Sequence, residues 1–499
     1  MKIIIVGGGV TGSELARRLI RKKHDVVLIE RDEETARHAA NRLDCMVVQA
    51  AGNDTQILLD AGIKKAEAMI AVTDSDELNM IICGIADSLA PQVIKIARVR
   101  NEDYVKALNF SEERTLGINA LVYPDEEAAL AVIQAIEHGA VSDILSFENS
   151  SYELSRFNVC EKSTLDGLAV FDIRKYVDIP FIVVSVEQNG KNRIPSGDTI
   201  LTAGTRVSIL TKLEHIKRFY ELSGFETQEF KKIALVGMGR IGKSIAEYLL
   251  KNSKGKSFLS KLLPINLNQK WKISIIETND KKAKEVAAEF PEASIYKADV
   301  TDESFVDEIG LDSFDLVICT TPNYEFNMIA CAYLKTLGVY KTISLVQSAV
   351  LENVAYKIGV DVAVSFKDVV VDSIMSHLVS ENVTSVHTMG DGKLEIIELQ
   401  VSEKSPVLGQ KLKDISQHGV YLVLLVTDEN GEQIPTGDTE VKAGYKIVFI
   451  VKSSRSDEII KIFGGNEILN ESLTICSNNF YDSRNNFHKL HHSDWNSPL

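Results

Sequence analysis

The chain has 499 residues with 55 Lys+Arg against 70 Asp+Glu, a formal charge of −15; at about 150 residues per domain, that length implies roughly three domains. Its 45% apolar and 25% charged residues are those of a soluble globular protein with room for a core, so no disulfide or metal staple is required. The acidic balance argues against a nucleic-acid binder, but not against nucleotide binding, because backbone N–H groups can hold a phosphate.

Short apolar runs alternate with helical patterns from the N-terminus. Strands are expected at Lys2–Val6, Val26–Glu30, Met46–Gln49, Ala68–Val72, Val93–Ala97 and Ala120–Tyr123. Helices are expected at Val10–Lys22, Glu33–Leu43, Thr55–Ala61, Asp76–Leu89 and Asp125–His138. Such alternation gives βαβ units and a parallel sheet, and the continuous apolar strands suit a sheet covered on both faces. From about Ser151 the texture changes. Phe181–Glu187 and Arg206–Thr211 are β-like, separated by turn signals at Asn189-Gly190 and Pro195–Asp198, which reads as a small α+β lobe. The N-terminal apolar run, Ile3–Val6, is too short for a signal peptide. No stretch approaches the ~20 apolar residues of a membrane span. The expected location is therefore the cytoplasm, with any membrane role exercised through a partner.

The pattern then repeats. Gly7-x-Gly9-x-x-Gly12 recurs as Gly237-x-Gly239-x-x-Gly242, 230 residues later, and Ile194–Thr199 recurs as Ile434–Thr439, 240 residues later. Glu30 matches Glu277 and Asn79 matches Asn327, at separations of 247 and 248. The jump from 230 to 247 marks a 17-residue insertion after the second glycine loop. Two copies exclude a solenoid or propeller. The expected fold is α/β: two Rossmann-like, doubly wound parallel-sheet domains (1–140 and 231–380), each followed by a small α+β lobe (141–224 and 381–465). Residues 466–499 match neither copy and read as a loosely ordered tail.

Each glycine loop follows a strand and opens a helix. In this motif one glycine makes the turn, one admits a pyrophosphate and one lets helix and strand pack closely. Glu30 ends the second strand 18 residues after Gly12, where a carboxylate would accept from ribose hydroxyls, and Glu277 stands at the same distance once the insertion is removed. The second loop, Gly237 to Ser244, also fits the P-loop pattern through Lys243. Copy one has no lysine there, which favours the Rossmann reading, with Lys243 either solvated or touching a phosphate.

Copy one also reads Ala71-Val-Thr-Asp-Ser-Asp-Glu-Leu-Asn79 and Lys95-Ile-Ala-Arg-Val-Arg100. With Gly7-Gly-Gly-Val-Thr-Gly12 and the Ile-Pro-Ser/Thr-Gly-Asp-Thr segments, the chain resembles the RCK (or KTN) family of potassium-transport regulators, and the tandem arrangement over about 1–465 resembles the nucleotide-binding subunits of Trk-type uptake. The resemblance implies RCK N-terminal (Rossmann) domains with RCK C-terminal lobes, binding NAD(H) or ATP/ADP without chemistry. It implies a homo-oligomer, a tetramer if rings hold eight such units, beneath an integral-membrane potassium channel or transporter subunit of the TrkH/TrkG kind, at the inner face of the cell membrane. By position, Gly7, Gly8, Gly9, Val10, Thr11 and Gly12 would hold the pyrophosphate and Glu30 the ribose. Thr73 and Asp74 would face the nucleotide, Arg98 would reach a phosphate, and Asn53 would sit near the adenine. In copy two Gly237, Met238, Gly239, Arg240, Ile241, Gly242, Glu277, Asp299 and Thr321 remain, while Pro322 and Leu345 stand for Asp74 and Arg98. The first pocket is therefore expected to prefer NAD(H), and the second to take a smaller ligand or none.

An NAD(P)-dependent oxidoreductase is the alternative reading. It would need a proton-transfer group, and no Tyr-x-x-x-Lys occurs. A P-loop ATPase is the third. Lys251–Lys272 holds six lysines and no acid, which suits a membrane-facing segment or a solvated excursion broken by Pro264. His488, His491 and His492 read as part of a polar tail, and no metal site is expected. The six cysteines read as small buried hydrophobes.

Overall fold

A computed structural model describes residues 1–109, 115–137, 144–147, 150–161, 163–188, 191–224, 230–252, 271–378, 383–389, 392–429 and 431–464. The tail, most of the Lys-rich segment, the Asn189-Gly190 turn and Cys476 lie outside the described residues.

The first lobe contains strands β1 (Lys2–Val6), β2 (Asp25–Glu30), β3 (Met46–Gln49), β4 (Ala68–Ala71), β5 (Ile94–Arg98) and β6 (Ala120–Val122). Its helices are α1 (Val10–Arg21), α2 (Glu33–Arg42), α3 (Thr55–Asp60), α4 (Asp76–Leu89), α5 (Glu102–Asn109) and α6 (Pro124–Glu137). All strand pairs are parallel, in the order β3-β2-β1-β4-β5-β6. Ile3, Ile4 and Ile5 are all fully buried, which explains the absence of period-2 alternation. Side-chain caps begin several helices: Asp32 accepts from Thr35 N–H, Asp54 from Gln56 N–H and Ser75 from Leu78 N–H. α1 is the exception. Its N-cap is Gly9, so no side chain covers its first N–H groups.

The first small lobe follows: β7 (Ile144–Ser146), β8 (Tyr152–Asn158), β9 (Phe181–Gln188), β10 (Lys191–Arg193), β11 (Arg206–Lys212) and α7 (Leu213–Ser223), its antiparallel strands ordered β10-β9-β11-β8-β7. The second Rossmann lobe has β12 (Lys232–Val236), β13 (Lys272–Glu277), β14 (Ser294–Lys297), β15 (Leu316–Cys319), β16 (Lys341–Val346) and β17 (Val362–Ser365) in the order β14-β13-β12-β15-β16-β17. Its helices are α8 (Arg240–Asn252), α9 (Asp280–Glu289), α10 (Glu303–Ile309), α11 (Tyr324–Leu337), α12 (Ala349–Lys357) and α13 (Phe366–Ser376). The last lobe has β18 (Val383–Met389), β19 (Leu394–Gln400), α14 (Leu412–Ile415), β20 (Tyr421–Asp428), β21 (Gly431–Gln433), β22 (Lys446–Lys452) and α15 (Ser456–Gly464).

The two copies exchange helices. α6 of copy one packs on copy two: Ala128, Val132, Ile133 and Ile136 share a core with Leu235, Ile245, Leu249 and Ile318. α13 of copy two packs on copy one: Val370, Val371, Ile374 and Met375 share a core with Ile3, Ile5, Leu15 and Leu19. Each small lobe follows its crossing helix. Lys22, directly after α1, lies 2.8 Å from Glu395 of β19, and the Arg206 guanidinium of β11 stands 4.2 Å from the ring centre of Tyr356 on α12. The small lobes share a further core built from Leu154, Val184, Leu210, Ile396, Leu424 and Ile450. Of the cysteines, Cys83, Cys319 and Cys331 are buried, whereas Cys45 and Cys160 are only half-buried.

Candidate functional site

In both sheets the strand order reverses beside the first strand of the copy, opening a crevice at the strand C-termini between β1 and β4 and between β12 and β15. The glycines have the three expected tasks. Gly7 has φ +111° and packs so closely on Val72 and Thr73 that a Cβ would lie 2.9 Å from their backbone. A Cβ on Gly12 would lie 1.9 Å from the Gly7 carbonyl oxygen, so the helix meets the strand there without room for a side chain. A Cβ on Gly9 would meet nothing within 4 Å. The open approach and the uncapped N–H groups of α1 thus coincide, as a phosphate-binding helix start requires.

Glu30 stands beside this loop at the end of β2. Its Oε2 accepts from Gly8 N–H at 2.6 Å and its Oε1 from Asp32 N–H at 2.8 Å. The carboxylate is fixed by backbone, with lone pairs left for ribose hydroxyls. Opposite the loop, Thr73 ends the run from β4, and its backbone is held by Asn79 of α4. The Asn79 amide oxygen accepts from Thr73 N–H (2.8 Å) and Oγ1–H (2.7 Å), while its Nδ2 donates to the carbonyls of Thr73 (3.1 Å) and Arg98 (2.9 Å). Arg98 donates from Nη2 to the Thr73 carbonyl (2.8 Å) and to Asp74 Oδ1 (3.3 Å), and its Nε is buried without an acceptor. Arg100 adds a second guanidinium, bonded to the Asp74 carbonyl and 3.5 Å from Asp76. Asp74 itself is exposed.

The second crevice repeats this frame. Gly237 has φ +91°, and a Cβ on Gly239 would again meet nothing. Glu277 accepts from Met238 N–H (3.1 Å) and Asn279 N–H (2.9 Å) and is buried. Asn327 grips Thr321 and the Leu345 carbonyl as Asn79 grips Thr73 and Arg98. Leu345 is buried and supplies no charge. Lys243 pairs with Glu289 at 2.6 Å. It is therefore held by a carboxylate rather than left to the loop, which weighs against the P-loop reading. Arg240 is ion-paired to Asp125 of α6.

Asn53 and Asp299 are not equivalent positions. Strand register aligns Gln49 with Lys297, because they pair with Glu30 and Glu277, and Asp54 and Asp302 then cap matching helices. Asp299 therefore matches Ala51, and Asn53 matches Thr301. Asp299 holds its own turn, accepting from Thr301 N–H (2.9 Å) and Oγ1–H (2.7 Å). Asn53 lies in the exposed loop before α3. In the sequence Asn79 and Asn327 stand out only as repeat markers and Arg100 carries no site signal of its own; the Asn match was itself the available signal.

The model of the TrkA-N domain matches residues 3–124 and 233–366, and that of the TrkA-C domain matches 154–224 and 396–464. The chain belongs to the TrkA family. Relatives of this TrkA-family chain include "Trk system potassium uptake protein TrkA" of Halomonas elongata, 25% identical over 93% of this chain and 98% of the relative. "Trk system potassium uptake protein TrkA homolog 1" of Methanosarcina mazei is 27% identical over 93% of this chain and 100% of the relative. Among solved structures, the "GsuK channel bound to NAD" has a TM-score of 0.52 at 17% identity, over 93% of this chain and 79% of that one. The "GsuK RCK domain" has a TM-score of 0.53 at 16% identity, over 93% and 95%. At these identities the likeness concerns the fold. It places the TrkA-family chain among tandem RCK architectures.

Proposed function

We propose that the chain is the regulatory subunit of a potassium-uptake system, binding NAD(H) in the first crevice and transmitting its occupancy to an integral-membrane channel or transporter subunit. The observation that carries this reading is the first crevice itself. An open glycine turn at an uncapped helix start faces a backbone-fixed carboxylate, with two guanidiniums opposite. The family relatives named for potassium uptake, and a structural neighbour described as bound to NAD, supply the biological setting. The ribose hydroxyls would donate to Glu30, and the same carboxylate would repel a 2′-phosphate, so NADP(H) should bind poorly. The second crevice, with Leu345 for Arg98, suits ADP, ATP or no ligand.

Binding alters transport only if the two arrangements of the lobes differ in nucleotide affinity, and couplings of this kind amount to about 1–3 kcal/mol. The exchanged helices are the mechanical link, since α13 is part of the core beneath the first glycine loop and leads directly into the second small lobe. No helix among the described residues is long and apolar enough to cross a membrane, so the partner supplies the pore. The place of action would be the cytoplasmic face of the membrane, and no chemical turnover of the nucleotide is required. A tetramer of this tandem chain is the expected assembly. Its support is the apolar stripe of Val350 and Val354 on α12 with Ile358 just after it, beside exposed Ile329 and Leu337 on α11. The test is copurification with a membrane potassium transporter, then ion flux with NADH, NAD⁺, ADP and ATP in turn. Flux that responds to at least one nucleotide without its consumption supports the reading; flux indifferent to all four contradicts it.

A further inference from the structure

The crossing helices set a charged residue against the helix that follows each glycine loop. Val122 and Val364 are equivalent, because they pair with the equivalent positions Arg98 and Leu345. Three residues on, Asp125 of α6 and Lys367 of α13 are therefore equivalent. Asp125 reaches Arg240, the residue directly after Gly239 and the first of α8. This position of a crossing helix thus touches the glycine loop of the other copy. At the first crevice the loop residue matching Arg240 is Val10, uncharged and 58% exposed, and the crossing helix brings Lys367. Its Nζ lies 3.4 Å from Glu14 of α1. Glu14 is one turn beyond Val10 on the same helix face. The contact is longer than the ~2.7–2.9 Å of a well-made charge-assisted bond. Glu14 is already engaged by Arg17 and lies 3.4 Å from Arg18. Lys367 is a largely buried cation on a long bond to a carboxylate that stands one helical turn from the uncapped N–H groups of α1.

We propose that Lys367 is a nucleotide-binding residue of the first crevice, delivered by the second copy, whose ammonium exchanges Glu14 for a phosphate of the ligand seated on the Gly7–Gly12 loop. The proposal rests on the nucleotide reading given above. At the second crevice the same position holds a carboxylate, Asp125, which neutralises Arg240 and repels phosphate. The crossing helices therefore add charge that favours a pyrophosphate at the first crevice and oppose it at the second, each acting on the copy it does not belong to.

Calorimetry with NADH on the full chain tests this, using Lys367→Gln, Lys367→Arg and Glu14→Gln. Lys367→Gln is expected to weaken NADH about tenfold, the range of one charge-assisted bond to phosphate. Lys367→Arg should restore most of the affinity, and Glu14→Gln, which removes the competing carboxylate, should not weaken it. Wild-type affinity in Lys367→Gln would overturn the proposal. So would Glu14→Gln weakening NADH as much as Lys367→Gln, since the ion pair rather than a phosphate contact would then be the cause. A wild-type chain that binds no nucleotide would overturn the nucleotide reading and this proposal together.

Discussion

Asn79 satisfies its whole amide within one crevice wall, joining the end of β4 to the end of β5 while fully buried. Alanine there would take the Asn79 amide from the Thr73 N–H and the Arg98 carbonyl, while the Thr73 carbonyl keeps its bond from Arg98, each buried loss costing about 1–3 kcal/mol before relaxation. Asn79→Ala is expected to destabilise the protein by ~2–4 kcal/mol in urea unfolding and to weaken nucleotide binding with it; an unchanged midpoint would show the wall to be held otherwise. The residues legible in the sequence were those whose identity is forced locally. Only glycine fits the φ at Gly7 and the contact at Gly12, and Glu30 is set by spacing. Lys367 and Asp125 gave no such signal, because each acts on a helix of the other copy, and the register that separates Asn53 from Asp299 was not legible because loop length after β3 is not fixed by hydrophobic pattern.

α13 is held to α1 by polar contacts as well as by its buried valines. Arg18 bonds Asp372 (2.6 Å), Asp368 and Thr388 (3.2 Å) from a nearly buried position. Removing one partner from a buried ion cluster leaves charge uncompensated, so Arg18→Met should cost ~3–5 kcal/mol. Ile374→Ala, a cavity in the shared core, should cost ~2–5 kcal/mol. Differential scanning calorimetry should show both lowering the melting temperature; an effect confined to a separate transition of the second small lobe would mean that α13 is not integral to the first core. Nearby, burial pushes His24 down to about 4, with Asp457 at 3.6 Å opposing the shift. The unfolded chain would titrate this imidazole near ~6.5 and so bind more protons between those values. The contribution is full above ~6.5 and is lost as pH falls toward about 4. Asp372, raised to about 6 by burial, slopes the other way, stability falling as pH rises across part of that window. Comparison of wild type with His24→Gln isolates the histidine: the variant should lose less stability between pH 7 and 5, and parallel curves would contradict this. Sequence pattern located α1 and α6 to within a residue at each end, since 3.6-residue periodicity is local, and gave no separate helix at α13. It could not say that α6 and α13 exchange sheets, because periodicity reports that a face is buried and not against which partner.

On the scale of the whole molecule, duplication and exchange make one chain a closed pair, its Rossmann lobes joined through the exchanged helices and its small lobes through a shared core. Among the described residues an apolar stripe along α11 and α12 is open to association, with Val350 72% and Ile329 61% exposed. Light scattering is expected to report a tetramer; a monomer with and without nucleotide would remove the ring from the account, and Val350→Glu with Val354→Glu should lower the mass of a true assembly. The central claim is that the two crevices are unequal and that the first is the NAD(H) sensor. Calorimetric titration of NADH into wild type, Glu30→Ala, Arg98→Ala and Glu277→Ala tests it most directly. The account expects one strong site, weakened at least tenfold by Glu30→Ala and by Arg98→Ala and left intact by Glu277→Ala. Loss of binding in Glu277→Ala, with Glu30→Ala and Arg98→Ala unchanged, would contradict it.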